Sequence, residues 1–342
     1  MEKIFKNTKI LASLPSVSGN EAAGLQQLVS LCGNLFDEYK TLATGSFIGI
    51  KKCGKPNAKK LILDAHFDEI GFIVTGVFDD GFVSVTNVGG IDTRVLSASE
   101  VTIYGKKAVR GAFISKPPHL QTADEQTKKI ELKDLYIDTG LEGATLKELV
   151  KVGDFADMRA ETVMLSNNFI ASKSLDDKVC IALILRALDF ICMENLNVDV
   201  CCLFSGGEEV GYIGASTGAF DISPDYAIAI DVCNPRFPDG DMSREHIELS
   251  RGVVISFSGT TCRPFTKQII ACAEKNKIPF QIKADPGRTG TNAHVIAVSR
   301  EGVPTILLSI PLRYMHTASE VVSLEDVRSA AQLVAKFAEE LA

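Results

Sequence analysis

Four apolar runs in this chain end in residues that an apolar core cannot hold alone. Val198–Phe204 (VDVCCLF) leads through a glycine turn into the adjacent acids Glu208 and Glu209. Leu61–Leu63 runs into Asp64-Ala-His66-Phe-Asp68, Tyr226–Ile230 into Asp231, and Thr305–Ile310 into Pro311-Leu-Arg-Tyr-Met-His316. Charge at the end of a buried strand is costly unless something pairs with it, and a bound cation is the simplest shared partner. Several buried strands must therefore finish at one common edge, which open α/β sheets provide. The pattern reads as a metal-dependent hydrolase.

The rest of the chain sorts around these runs. Ser18-Gly-Asn-Glu21 has the form of a capping box, and Leu25, Leu28, Val29 and Leu35 follow at near-helical spacing. Strands are expected at Phe47–Lys51 and Lys60–Asp64. From about Phe72 to Val163 the texture changes to short β-type runs (Phe72–Val77, Phe82–Asn87, Glu100–Tyr104, Val109–Ile114) divided by Asp-Asp-Gly, Gly-Gly and Gly-Lys-Lys turns. Alternation then resumes. Asp176-Asp177 is placed to cap a helix running to about Glu194, whose apolar residues almost encircle it and imply burial. Strands follow at 198–204, 226–231, 252–257 and 305–310, with amphipathic helices at Pro264–Lys275 and Leu324–Leu341. The expected architecture is α/β: an α/β/α sandwich on a mixed, largely parallel sheet, formed by residues 1–71 and 164–342. Residues 72–163 form an inserted small all-β domain.

Composition removes several function classes. With 342 residues the chain can bury a large core, and a net charge of -7 without a Lys/Arg block disfavours nucleic acid. No run of about 18 uncharged apolar residues occurs, so no membrane span is expected. The nine cysteines are an odd number; Cys180, Cys192, Cys201 and Cys202 lie in apolar stretches, and no C-x-x-C occurs. The segment starting at Met1 lacks a signal-peptide core, and a reducing cytoplasm is expected.

His66, Glu208/Glu209, Asp231 and His316 all sit at expected strand ends, and Asp176 lies in a connection able to reach the same edge. Two imidazoles and three carboxylates suffice for two zinc-like ions with one carboxylate bridging, an arrangement that polarises a carbonyl and lowers the pKa of a shared water. Residues i and i+2 of a strand face the same way, so Asp68 is expected to reach the ring nitrogen of His66 that does not bind metal. The adjacent glutamates suit a division of labour, in which one coordinates and the other takes a proton from the water and returns it to the leaving amine. Of the remaining histidines, His119 suits a structural or subunit contact, His246 a solvated site and His294 the pocket wall. Gly287-Arg-Thr-Gly-Thr resembles a phosphate loop only faintly, lacking its Gly-Lys-Ser/Thr ending.

In order, His66-Phe-Asp68-Glu-Ile-Gly71, Ser174-Leu-Asp176-Asp-Lys-Val, Glu208-Glu209-Val-Gly211 with Gly214-Ala215, Ala229-Ile-Asp231 and Arg313-Tyr-Met-His316 resemble the motifs of one co-catalytic metallo-aminopeptidase family. It contains glutamyl aminopeptidases and tetrahedral dodecameric aminopeptidases, and some members carry a cellulase or endoglucanase label. Pro15-Ser-Val-Ser-Gly19, Gly89-Gly-Ile-Asp92, Lys116-Pro-Pro-His119 and Gly302-Val-Pro304 extend the resemblance over nearly the whole chain. It implies that His66 and Asp231 hold one metal, Glu209 and His316 the other, with Asp176 bridging. Glu208 would be the general base, and Asp68 the residue that orients His66. It further implies zinc or cobalt, with manganese as an option, short peptides as substrates, and a dodecamer built from dimers in which the β insert assists assembly and access. The chain departs from the family in three places. Lys178 stands where Arg is frequent, Gly206-Gly207 precede the glutamates where Gln is frequent, and Asn292 replaces an aspartate in Gly290-Thr-Asn-Ala. Two other readings compete: a glycoside hydrolase, and a non-catalytic peptide-binding assembly protein.

Overall fold

Within each central strand, successive apolar residues face opposite layers, and this alternation builds the molecule. The structure is a computed structural model that describes residues 1–236 and 247–341. Leu61, Leu63 and Ala65 belong to one core with Val198, Val200, Cys202, Phe204, Ile228, Ile230, Ile306 and Leu308. The intervening Ile62, Cys201, Leu203, Ala227, Ala229 and Leu307 belong to a second core on the other face. Helices Glu2–Ala12, Leu175–Phe190, Arg263–Lys275 and Leu324–Glu340 cover the first face, and Ile213–Ile222 with Ala293–Ala297 cover the second. Burial on both faces explains why these strands read as nearly unbroken apolar runs.

The sheet has eleven strands. Its centre is parallel: Val198–Ser205, Lys59–His66, Tyr226–Cys233 and Thr305–Arg313 lie side by side in that order. In this register Ser205 is opposite His66, so the strand ends that carry the acids and histidines finish at one edge. Phe47–Lys51 and Glu38–Thr41 extend one side antiparallel, while Glu320–Ser323, Phe169–Ser172 and Val163–Met164 extend the other. Val253–Ser258 branches antiparallel from Thr305–Arg313 and carries Phe280–Asp285 parallel to itself. The mixed sheet between helical layers is the fold expected from the sequence, but only its core is parallel: six of its ten strand pairings are antiparallel, because several rim strands join by short reversals.

Between Glu69 and Val163 the chain builds a closed six-stranded antiparallel barrel from Gly71–Val77, Phe82–Val88, Tyr136–Asp138, Ala108–Ile114, Glu100–Tyr104 and Phe155–Met158. It has its own core, centred on Phe72, Ile103, Phe113 and Ile137. The insert is not purely β, since Gly143–Leu149 and Ala123–Thr127 are short helices. At the junction Gly71 permits close approach: a Cβ there would stand 2.5 Å from Val17 Cγ2 and 2.7 Å from the Ala156 carbonyl oxygen.

Two local expectations fail for the same reason, competition from distant partners. The capping box at Ser18 does not form; Glu21 precedes helix Ala22–Cys32 without a side-chain cap, and the Ser18 hydroxyl donates to Asp68 Oδ2 at 2.6 Å. Asp176 and Asp177 do not cap the buried helix either. It runs Leu175–Phe190, ends before Glu194, and both acids have non-helical backbone angles at its start. Cys192 is exposed rather than packed, and among the described residues no cysteine forms a disulfide. No described helix is long and apolar enough to cross a membrane.

Candidate metal centre

His66 is the last residue of its strand and is 2% exposed. Its Nδ1 lies 3.0 Å from the Asp68 carbonyl oxygen, which can only accept, so that nitrogen carries a proton. Its Nε2 faces Asp176 Oδ1, also at 3.0 Å. A second imidazole approaches the same acid from the far strand: His316 Nε2 is 3.4 Å from Asp176 Oδ2 and 3.2 Å from Glu209 Oε1. Asp176 thus stands between the two histidines, one on each carboxylate oxygen.

Two groups of donor atoms, each lying within 4.8 Å of one another, emerge at this edge: His66, Asp176 and Glu209, and His66, Asp177 and Asp231. Asp177 is the member that sequence reading missed. Its Oδ2 accepts the His66 backbone N–H at 3.0 Å, while its Oδ1 is buried without a hydrogen-bond partner. Asp231, expected as the last residue of its strand, is followed by two more strand residues, and it accepts the Val232 N–H at 2.7 Å.

Asp68 does not engage His66 chiefly through its carboxylate. Residue 68 lies past the strand end, so the two-residue repeat no longer governs it; the carboxylate Oδ1 is 3.5 Å from Nδ1, and the backbone carbonyl is the nearer partner. The carboxylate instead accepts the backbone N–H of Glu208 at 3.0 Å and of Glu209 at 3.2 Å, together with the Ser18 hydroxyl. It therefore anchors the turn that presents both glutamates. Glycine is required beside that turn, because a Cβ on Gly214 would meet Gly206 backbone atoms and Ser46 Oγ at 2.4 Å.

The electrostatics of this cluster call for added positive charge. Burial pushes Glu208 up to about 9 and Asp231 to about 8, with Asp176 adding repulsion to both. Burial likewise raises Asp177 and Glu209. Burial opposes charge on the imidazoles too, but contacts to Asp176, with Asp68 beside one and Glu209 beside the other, hold His66 well above its usual range and His316 at about 11. Burial also works against ionisation of Asp176, yet hydrogen bonds from His316 and His66 keep it well below the usual carboxylate range. Each histidine Nε2 faces carboxylate oxygen, so a proton or a cation must lie between them. Imidazole and carboxylate donors, a buried unpartnered Asp177 oxygen and mutually repelling acids fit divalent cations.

Buried supports surround the donors. Glu320, pushed up to about 8 by burial and by Asp176, accepts the backbone N–H of Asp176 at 3.0 Å and of His316 at 2.8 Å. Lys173 ties Glu69 (2.6 Å) to Asp157 of the barrel (2.8 Å). Lys178, where an arginine contact is frequent in the resembled family, is fully buried and donates to the Leu14 carbonyl at 3.2 Å; burial lowers it to about 8. Asn292 donates to Asp64 Oδ2 and Ser205 Oγ, both at 2.9 Å, beneath the strand ends. A gap of about 10 Å³, room for roughly one water, lies between barrel and sheet, bordered by Ile70, Met158, Asp176, Glu209 and His316. Of the other histidines, His294 packs edge-on against Tyr212 at 4.5 Å between ring centres, His119 is exposed on the barrel, and His246 lies outside the described residues. Glu320 could have been noticed in the sequence as an acid opening a Val-Val strand four residues after His316, although spacing alone does not show what it contacts.

Comparison with known proteins agrees over nearly the whole chain. A model of the M42 glutamyl aminopeptidase family matches residues 45–333. A lysyl aminopeptidase of Pyrococcus furiosus is 32% identical over 339 residues, spanning 97% of this chain and 96% of that protein. Aminopeptidase APDkam598 from the archaeon Desulfurococcus kamchatkensis superposes with a TM-score of 0.92 at 32% identity, covering 99% of this chain and 95% of that one. The Pyrococcus horikoshii TET1 peptidase, which can assemble into a tetrahedron or a large octahedral shell, superposes with a TM-score of 0.85 at 29% identity over 99% of both chains.

Proposed function

The chain belongs to the M42 glutamyl aminopeptidase family and is a metallo-aminopeptidase, and from that premise we propose that it removes N-terminal residues from short peptides with two divalent cations per subunit. His66 and Asp231 would hold one ion, Glu209 and His316 the other, and Asp176 would bridge. Zinc, cobalt and manganese all suit such donors. When bound, the ions polarise the scissile carbonyl and lower the pKa of a shared water.

The protein groups supply proton transfer and placement. Glu208 sits on the turn anchored by Asp68 and lies in the field of His66, Asp231, Glu209 and Asp176; burial raises it in the metal-free site, and added cationic charge would lower it toward the range where a carboxyl both accepts and releases a proton. It takes the proton of the attacking water and returns it to the leaving amine. Asp68 holds Glu208 and Glu209 by their backbones, so that base and ligand keep a fixed relation. Ile70 and Met158 of the barrel junction line the space beside Glu209 and His316, so the insert would border the path by which a peptide reaches them. Assembly into a tetrahedral dodecamer built from dimers is proposed from the likeness to the TET1 peptidase.

The observation that carries this reading is the chain of contacts His66–Asp176–His316–Glu209, made by four residues distant in sequence. Glycoside hydrolysis needs two carboxyls flanking one bond, roughly 5–9.5 Å apart, and leaves both imidazoles and Asp231 without a task. A non-catalytic role would be marked by loss of a ligand or base, and each is present. The test is Glu208→Gln, assayed on aminoacyl p-nitroanilides with metal content measured in parallel. Turnover should be lost while two equivalents of metal are retained; unchanged turnover refutes the base assignment.

A further inference from the structure

We propose that Glu320 is a positioning residue for the dinuclear site: one carboxylate clamps the two backbone segments carrying Asp176 and His316 and thereby sets the separation of those donors. The inference rests on the ligand assignment proposed above and goes beyond it, because Glu320 is not among those ligands and both its oxygens are taken by backbone N–H groups.

Three observations carry it. First, both carboxylate oxygens are committed. Oε2 accepts the Asp176 N–H at 3.0 Å and Oε1 the His316 N–H at 2.8 Å, so one side chain joins segments 140 positions apart in sequence. The donors it aligns, Asp176 Oδ2 and His316 Nε2, stand 3.4 Å apart. Second, the His316 segment needs such a hold. His316 has φ of 62° and Tyr314 of 63°, left-handed values that non-glycine residues keep only where the surroundings enforce them. Third, Glu320 is itself fixed. It is 2% exposed and pairs with Ser172 in the antiparallel register of Phe169–Ser172 with Glu320–Ser323, and the former strand leads within four residues to Asp176. The clamp therefore works from a rigid sheet edge onto two turns.

Glutamine at this position keeps the shape but offers one acceptor oxygen, and its NH₂ meets the second backbone N–H donor to donor. Aspartate keeps the carboxyl group but is one methylene too short to span both amides. Outer partners of this kind change metal affinity by roughly 10- to 100-fold.

The experiment is a chelator-competition titration of metal-stripped, full-length protein with Zn²⁺ and, separately, Co²⁺. Glu320→Gln and Glu320→Asp should each bind the cation roughly 10- to 100-fold more weakly than the parent protein, and activity of both should recover as the metal concentration is raised. Equal affinity in the folded variants overturns the proposal, as does parent-like affinity in Glu320→Asp alone, which would show that spanning both amides is not what matters. A lower melting temperature of the metal-free variants without a change in affinity marks a merely structural role and also overturns it. Should neither variant fold, hydrogen exchange on the metal-free parent at single-residue resolution decides: protected amides at Asp176 and His316 support the clamp, and rapid exchange at both refutes it. A parent that binds fewer than two equivalents overturns the ligand assignment and this inference together, whereas two equivalents with unchanged variants overturns this inference alone.

Discussion

Replacing Asp68 with asparagine isolates what its carboxylate does. Oδ1 accepts the Glu208 N–H at 3.0 Å, and Oδ2 accepts the Glu209 N–H at 3.2 Å and the Ser18 hydroxyl at 2.6 Å. An amide of the same shape has one acceptor oxygen. The Ser18 hydroxyl can rotate to accept, so the NH₂ settles toward Ser18 and Glu209, and the Glu209 N–H is the group left facing a donor. Depriving a buried N–H of its acceptor costs about 1–3 kcal/mol. The retained bond to Glu208 also changes from a charged to a neutral acceptor and weakens. With about 2 kcal/mol felt at the base and its neighbour, kcat should fall roughly 30-fold. The substitution removes no proposed ligand, so KM and metal stoichiometry should stay near those of the parent. Steady-state kinetics on an aminoacyl p-nitroanilide, with metal analysis of the same sample, reads all three. A kcat within about twofold of the parent in a folded, metal-loaded variant would show that anchoring the Glu208–Glu209 turn is irrelevant to turnover.

The remaining predictions concern the barrel junction and the metal-free site. Lys173→Met leaves Glu69 and Asp157 buried without their shared cation, and breaking a buried pair in this way costs about 3–5 kcal/mol; denaturant unfolding should show it, and a loss below about 1 kcal/mol would mean that solvent reaches the cluster. Metal binding should be coupled to proton release, because the pKa of about 8 at Asp231 and about 9 at Glu208 leaves both carboxyls protonated in metal-free protein at pH 7. Raised carboxyl pKa values mean the ionised ligand form grows as pH rises, so apparent affinity should climb between pH 6 and about 8; a flat profile, or the same binding heat in buffers of different ionisation enthalpy, contradicts it.

The central sheet was legible because burial on both faces writes itself as unbroken apolar runs, and their polar endings marked the edge where chemistry sits. His66, Glu208 and His316 stand out for the same reason, each being a polar group at or within a few residues of the end of such a run. The rim was less legible. Glu38–Thr41 is exposed at every position, Phe280–Asp285 buries none of its side chains fully, and Val163–Met164 is two residues long, so none carries a strong pattern. The capping box at Ser18 misled because a hydroxyl able to cap a helix is equally able to bind a carboxylate, and Asp68 is supplied by a segment 50 residues away.

By itself the sequence determined which segments are buried strands, that they end in imidazole and carboxylate groups of the kind that hold metal, and that a β-rich block interrupts them. Those are local consequences of period-two patterning and of the cost of burying unpaired charge. Only the tertiary structure decided which atoms meet: that Asp68 serves the glutamate turn more than the histidine ring, that Asp177 joins the donors, that Glu320 spans Asp176 and His316, and that Lys173 binds barrel to sheet. Hydrogen bonds act over about 3 Å, and the parallel strand register, which no single segment encodes, brings residues from opposite ends of the chain within that distance.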